Sequence, residues 1–234
     1  MLLGHDRTNR LLVLEDLGRA GDFTSAYTAR YITRDACVEL ERYLDLLHGL
    51  PVDGSRFQNM AMRSLNHEHS SVIPFSQANG LDLDAYTPGL ASLGRAVADD
   101  TRIRHAAQDL GQIDLGRTLA GTPALLHGDF FPGSWLVGND PAIRVIDPEF
   151  CFHGPQEFDL GVFIAHRLFI GESAESATAF LQNRSVDQPL TRAFAGIELM
   201  RRLLGVAQLP LDRSLDEKGE LVNIGQTWLK AWFK

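Results

Sequence analysis

Lysine is almost missing from this sequence: Lys218, Lys230 and Lys234 are the only ones in 234 residues, so arginine carries nearly all the positive charge. Basic character is missing as well. A formal net charge of −8 leaves no footprint of the kind that holds nucleic acid or an anionic membrane surface. Neither partner is expected, although a few local arginines can still hold a phosphate. Cysteine is scarce: Cys37 and Cys151 stand far apart, which points to two reduced thiols in a cytoplasmic chain rather than a disulfide framework. Long apolar runs are lacking too. The most apolar stretch, Leu160 to Ile170, is broken by His166 and Arg167 and is shorter than the roughly 20 residues a bilayer needs. The start, Met1 to Arg10, is polar and has no apolar segment of the signal-peptide kind.

What is present is ordinary for a globular chain, 44% hydrophobic and 22% charged, enough to bury one large core or two small ones. Asn9 to Leu14 reads as a strand with few local partners, whose edge groups need pairing with something. It runs into Glu15-Asp16-Leu17-Gly18. Beyond it the pattern turns helical. Thr33 is an N-cap candidate, Cys37, Leu40, Leu44 and Leu47 recur at helical spacing, and Gly49 with Pro51 ends the run. Val52 to Gly89 is irregular and polar. Leu90 to Leu119 is helix-like, with a break expected near Gly111. Three short apolar runs follow, at Ala124–Leu126, Trp135–Val137 and Ile143–Ile146, and the Gly138-Asn139-Asp140-Pro141 turn signal predicts a hairpin of the last two. From Asp159 onward the chain reads as helix after helix. The fold class expected is mainly α with a small β-hairpin.

The densest chemistry is His127-Gly128-Asp129-Phe130-Phe131-Pro132-Gly133-Ser134, followed by Asp147-Pro148-Glu149. Asp147 and Glu149 stand two apart at what reads as a strand end, which would point both carboxylates to one face and make an oxygen-rich site suited to Mg²⁺. Asp129, in a glycine-flanked loop before the hairpin, can point into a cleft, orient a hydroxyl and accept its proton during phosphoryl transfer. His127 reads as a brace for that loop.

The string from Leu125 to Asp159 resembles the catalytic and metal-binding loops of the aminoglycoside phosphotransferase superfamily, and its details lean towards the methylthioribose kinases. Ser134 stands where most relatives carry asparagine, and the Asp-Pro-Glu-Phe run at Asp147 to Phe150 has the same leaning. The resemblance implies the C-terminal lobe of a protein-kinase-like fold. It makes Asp129 the catalytic base, gives Mg²⁺ to Asp147 and Glu149 with Ser134 as a weaker ligand, and makes Asp159 a structural support for the catalytic loop beside His127. ATP would be the phosphate donor. Glu15, Asp16 and Leu17 would be the hinge that meets adenine, so residues 1–18 would be a remnant N-lobe strand and hinge, and residues 19–234 the helical catalytic and substrate lobe. A glycine-rich loop and a phosphate-holding lysine should then lie upstream, yet no lysine precedes Lys218. The expectation is a truncated chain, a lobe supplied by a homodimer or partner chain through the N-terminal strand, or a protein without turnover.

On the substrate side, Leu190, Phe194, Ile197, Leu204 and Ala207 trace one apolar helix stripe, and Arg201 falls on it, where a guanidinium must be paired or must face a cleft. Arg202 can pair with Glu198 at i,i+4 as a surface ion pair. By analogy with the methylthioribose kinases, Arg201 and Arg202 are assigned to the substrate and phosphate side. Asn66-His67-Glu68-His69 would place two histidines on one face of a strand, but no third metal ligand stands nearby, and a structural or pocket role is preferred. The expected activity is transfer of a γ-phosphoryl group to a hydroxyl of a small polar metabolite, a sugar or thiosugar. A pseudokinase-like binding module is the alternative, and a metal-dependent phosphoester hydrolase would need more histidines around the acids.

Overall fold

The computed structural model describes residues 2–138 and 142–233, so the turn expected at Asn139 to Pro141 lies outside the described residues. The chain opens on a hairpin, β1 (Leu2–Asp6) antiparallel to β2 (Leu11–Leu14). The strand at Leu11 to Leu14 therefore has a local partner after all. The first ten residues, read as polar, contain it, because Leu2 and Leu3 supply the β character and Arg10 turns the chain at φ 54°. Leu2, Leu3, Leu11, Leu12, Val13 and Leu14 are each more than half exposed. Adjacent residues of a strand face opposite ways, so both faces of the hairpin show apolar side chains to solvent.

The chain then passes to a short strand, β3 (Gly21–Asp22), and helices α1 (Ser25–Ala29) and α2 (Arg34–His48). Thr33 caps α2 by accepting from the Ala36 N–H, and Cys37, Leu40 and Leu44 are its buried face. The irregular stretch holds α3 (Met60–His67), which continues into a π-helical turn at Glu68–Val72. Helices α4 (Leu90–Asp99) and α5 (Thr101–Asp114) follow. Their break falls at Asp100 rather than near Gly111, because Asp100 caps α5 on the Arg102 and Ile103 N–H groups. Gly111 sits inside α5, where any Cβ would run into the His67 ring. The glycine marks a close helix approach, and its position does not end the helix.

The sheets are small. β4 (Pro123–Leu126) does not join the predicted hairpin but pairs with β7 (Phe152–Pro155). β5 (Trp135–Val137) and β6 (Ile143–Val145) do form that hairpin, and β3 extends it. The body is completed by α6 (Glu157–Ile170), α7 (Ala174–Thr178), α8 (Gln188–Leu204) and α9 (Leu215–Trp232). Every residue of α6 is buried, as are fourteen of the seventeen in α8. Phe130, Trp135 and Phe163 pack ring to ring at 5.2–5.8 Å, which clamps the loop after β4 onto α6.

A Leu12→Glu substitution on the exposed hairpin is expected to change unfolding free energy by no more than about 0.5 kcal/mol. Phe163→Ala should cost about 3–5 kcal/mol, because it empties the aromatic clamp. Urea denaturation of the two variants checks the contrast.

Candidate active site

The loop between β4 and β5 is shaped from behind by a buried carboxylate. Asp159, fully buried in the first turn of α6, accepts the main-chain N–H of His127 at 2.7 Å and of Gly128 at 3.0 Å, and pairs with His48 Nε2 at 3.1 Å. Burial alone would raise the Asp159 carboxyl, but the His48 hydrogen bond and charge, with the loop amides, hold it below its ordinary value. Asn66, from α3, donates to the Gly128 carbonyl at 3.0 Å. Gly128 itself has φ 84°, and a Cβ on it would strike the Phe150 carbonyl, so only glycine lets the two loops approach this closely.

His127 is buried and braces the same loop. Its Nε2 donates to the Ile146 carbonyl at 2.8 Å, which leaves Nδ1 to accept the Asp129 N–H at 3.4 Å. Those two partners select the neutral tautomer with its proton on Nε2. Ser134 is also inside the loop, 1% exposed, with its hydroxyl donating to the Asp129 carbonyl at 3.2 Å. The backbone on both sides of Asp129 is thereby fixed.

The Asp129 side chain meets two arginines. Arg201 Nη1 donates to Oδ1 at 2.9 Å and Arg202 Nη2 donates to the same oxygen at 2.8 Å. Oδ2 has no hydrogen bond among the described residues. Behind the arginines lies Glu198, 2% exposed, whose Oε2 accepts from Arg201 at 3.2 Å and Oε1 from Arg202 at 2.6 Å. Burial would discharge the Arg201 guanidinium, yet the Glu198 and Asp129 carboxylates hold its pKa above the usual value. Burial likewise opposes the Glu198 charge, and the two guanidinia keep its carboxyl well below the carboxylate range. The pair read as a surface ion bridge, Arg202 with Glu198, is therefore buried.

Asp147 and Glu149 do not end a strand. β6 stops at Val145, Asp147 takes φ 61°, and Pro148–Phe150 is a 3-10 turn, so strand alternation does not aim these two side chains. Both residues are exposed. Asn59 ties the end of that turn by donating to the carbonyls of Glu149 and Cys151 at 2.8 and 3.0 Å. Among the described residues no three of histidine, cysteine, aspartate and glutamate form a ready-made metal cage. His67 and His69 lie on helical turns instead of a strand, and so do not share a face.

At the other edge, Asp16 caps the Gly18 N–H at 2.8 Å. A Cβ on Gly138 would lie 3.1 Å from the Leu17 carbonyl, so the Glu15-Asp16-Leu17 segment passes over the end of β5.

A model of the phosphotransferase enzyme family matches residues 13–197. The chain belongs to that family. The match takes in the loop from His127 to Ser134, both exposed acids and Asp159. Among curated relatives, methylthioribose kinase of Bacillus velezensis is 26% identical over 174 residues, 57% of this chain and 43% of the relative. Methylthioribose kinase of Bacillus cereus is 33% identical over 125 residues, 37% of this chain and 31% of the relative. The chain spans less than half the length of the curated relatives it matches. Among solved structures, a spectinomycin phosphotransferase in complex with ADP and spectinomycin gives a TM-score of 0.49 at 16% identity, covering 91% of this chain and 69% of that one. Choline kinase LicA of Streptococcus pneumoniae gives 0.46 at 14% identity, covering 99% and 74%.

Several groups around the family loop were not legible from the sequence. Asn66 reaches the loop from 62 residues away, His48 reaches Asp159 from 111, and Glu198 meets His166 across 32; no local pattern reports such contacts. Arg63 is another: it lies over the Phe152 ring at 4.3 Å and donates through Nε to the Asp114 carbonyl oxygen. The Asp114 carboxylate is buried, has no hydrogen-bond partner among the described residues, and is pushed up to about 7 by burial against the opposing pull of Arg63 and Arg201.

Folding therefore raises the proton affinity of Asp114. Its contribution to stability is full below about pH 4 and is lost as pH rises through about 7. Asp114→Asn keeps the shape without the ionisation. Its thermal midpoint should exceed the parent's at pH 8, by the equivalent of a few kcal/mol at most, and match it near pH 4. Calorimetry at the two pH values checks the sign.

Proposed function

We propose that this chain is the catalytic lobe of an ATP-dependent small-molecule kinase, transferring a γ-phosphoryl group to a hydroxyl of a small polar metabolite, a sugar or thiosugar in the manner of the methylthioribose kinases it resembles. The observation that carries the reading is the Asp129 carboxylate. One oxygen is tied to two guanidinia and the other is open, on a loop fixed by Asp159, Asn66 and His127. An open carboxylate oxygen on a rigid loop can orient an acceptor hydroxyl and take its proton as the new O–P bond forms.

Asp147 and Glu149 fit Mg²⁺ as an open pair. Magnesium favours one or two carboxylates together with waters and phosphate oxygens over a closed protein cage, and both acids are exposed. When bound there, Mg²⁺ would neutralise phosphate charge. Ser134, buried with its hydroxyl on a main-chain carbonyl, is the weaker third candidate. Arg201 and Arg202, which hold Asp129, would meet anionic oxygens of substrate or phosphate, and Glu15 to Leu17 would supply the adenine contact. The exposed apolar faces of the β1–β2 hairpin suit burial against the rest of a nucleotide-holding lobe, carried by more of the same polypeptide or by a second chain.

Asp129→Asn should lower transfer to a responsive alcohol by at least about a hundredfold, with Mg-ATP binding kept, measured by coupled ADP release and by calorimetry. Transfer at the parental rate would overturn the assignment. A parent chain that binds Mg-ATP saturably but transfers to no member of a sugar and thiosugar panel would favour the non-catalytic reading.

A further inference from the structure

The two arginines at Asp129 are themselves held, and the group that holds them lies outside every role assigned so far. Glu198 and the arginines occupy one face of α8 at spacings of three and four residues. Each carboxylate oxygen of Glu198 takes a different guanidinium, and each guanidinium spans from Glu198 to the same oxygen of Asp129. Arg202 also lies over the Phe131 ring at 4.8 Å. Two adjacent guanidinia repel one another, and two carboxylates between them make the group of four formally neutral. Without Glu198 the cluster is left with one excess positive charge in a buried setting, and the arginines lose their anchor on the side away from the cleft.

The support continues a further two groups inward. Glu198 Oε1 meets His166 Nε2 at 3.2 Å, and His166 Nδ1 meets the Tyr27 hydroxyl at 2.7 Å. Glu198 is a carboxylate, so Nε2 carries the proton, and Nδ1 accepts from the tyrosine. Burial keeps His166 neutral, against the opposing pull of Glu198, and raises the Tyr27 hydroxyl well above its ordinary value, which keeps it a donor. All members are buried, and each has a single geometry that satisfies its neighbour.

We propose that Glu198, oriented by His166 and Tyr27, is a positioning residue of the kinase site: it fixes the Arg201–Arg202 pair against Asp129, so that one carboxylate oxygen is held and the other is presented. The inference rests on the phosphotransferase reading of Asp129. Its consequence is kinetic. A shift of the arginines by about 1 Å misplaces the groups that meet the reacting oxygens, which costs on the order of a hundredfold in turnover while leaving remote binding contacts in place.

The test compares parent, Glu198→Gln, Glu198→Asp, Tyr27→Phe and Asp129→Asn in one transfer assay on the full chain, with circular dichroism for folding. Glu198→Gln should lower kcat by about a hundredfold with KM for ATP within about threefold of parent, Glu198→Asp should recover part of the loss, and Tyr27→Phe should lower kcat about threefold or more at unchanged KM. A merely structural glutamate would alter the melting temperature and the active fraction without this split and without the graded order. If Glu198→Gln does not fold, Tyr27→Phe decides, since it removes one hydroxyl far from the cleft. A folded Glu198→Gln or Tyr27→Phe protein with parental kcat overturns the proposal. Parental activity in Asp129→Asn instead overturns the reading of the site itself, and this inference with it.

Discussion

The buried carboxylate of Asp159 is the constraint on which the site depends. Among the described residues no arginine pairs with it. Two consecutive main-chain N–H groups and one histidine satisfy it, and the two amides belong to the residues just before Asp129. An unpaired carboxylate at that depth would cost several kcal/mol, so the loop amides cannot leave it without replacement. Asp159 sits in the first turn of α6, the helix buried along its whole length, and the loop is therefore tied to the core of the fold.

Asp129 is held from two directions, joined behind by the His166–Glu198 contact. From the α6 side come Asp159 and the aromatic clamp of Phe130, Trp135 and Phe163; from the α8 side come Arg201 and Arg202, with Glu198 behind them. These contacts differ in kind. The α6 side fixes backbone by hydrogen bonds and packing, while the α8 side fixes the carboxylate by charge. Phosphoryl transfer rewards this division, because the protein's contribution is mainly position and electrostatics. The exposed Asp147 and Glu149 contrast with this rigidity. Their side chains are exposed, and the turn that carries them is tied by Asn59 at the carbonyls of Glu149 and Cys151.

What could be read from the sequence was what is local. The Thr33 cap, the face of α2 and the β5–β6 hairpin depend on residues a few positions apart, and each is present. The family string was legible for the same reason, being contiguous. What escaped depends on distant pairing. The Ala124–Leu126 run finds its partner in β7, where Leu125 and Leu126 face His153 and Phe152, too far along the chain for a local pattern to show. Gly111 looked like a helix break and is a contact with His67. Glu198 looked solvated because an i,i+4 acid and base read alike on an exposed and on a buried face, and only the packing of α8 against α6 separates the two. The Asp147–Glu149 pair was placed at a strand end by alternation, but the left-handed conformation of Asp147 breaks that alternation after Val145.

A crystal structure with Mg²⁺, a non-hydrolysable ATP analogue and a bound sugar alcohol tests directly whether Asp129 presents its second carboxylate oxygen to the acceptor. It should place Mg²⁺ at Asp147 and Glu149 and an acceptor hydroxyl within hydrogen-bond distance of Asp129 Oδ2, with the loop amides still on Asp159. A complex in which Oδ2 points away from both nucleotide and acceptor, or in which the metal sits apart from both exposed acids, would contradict it.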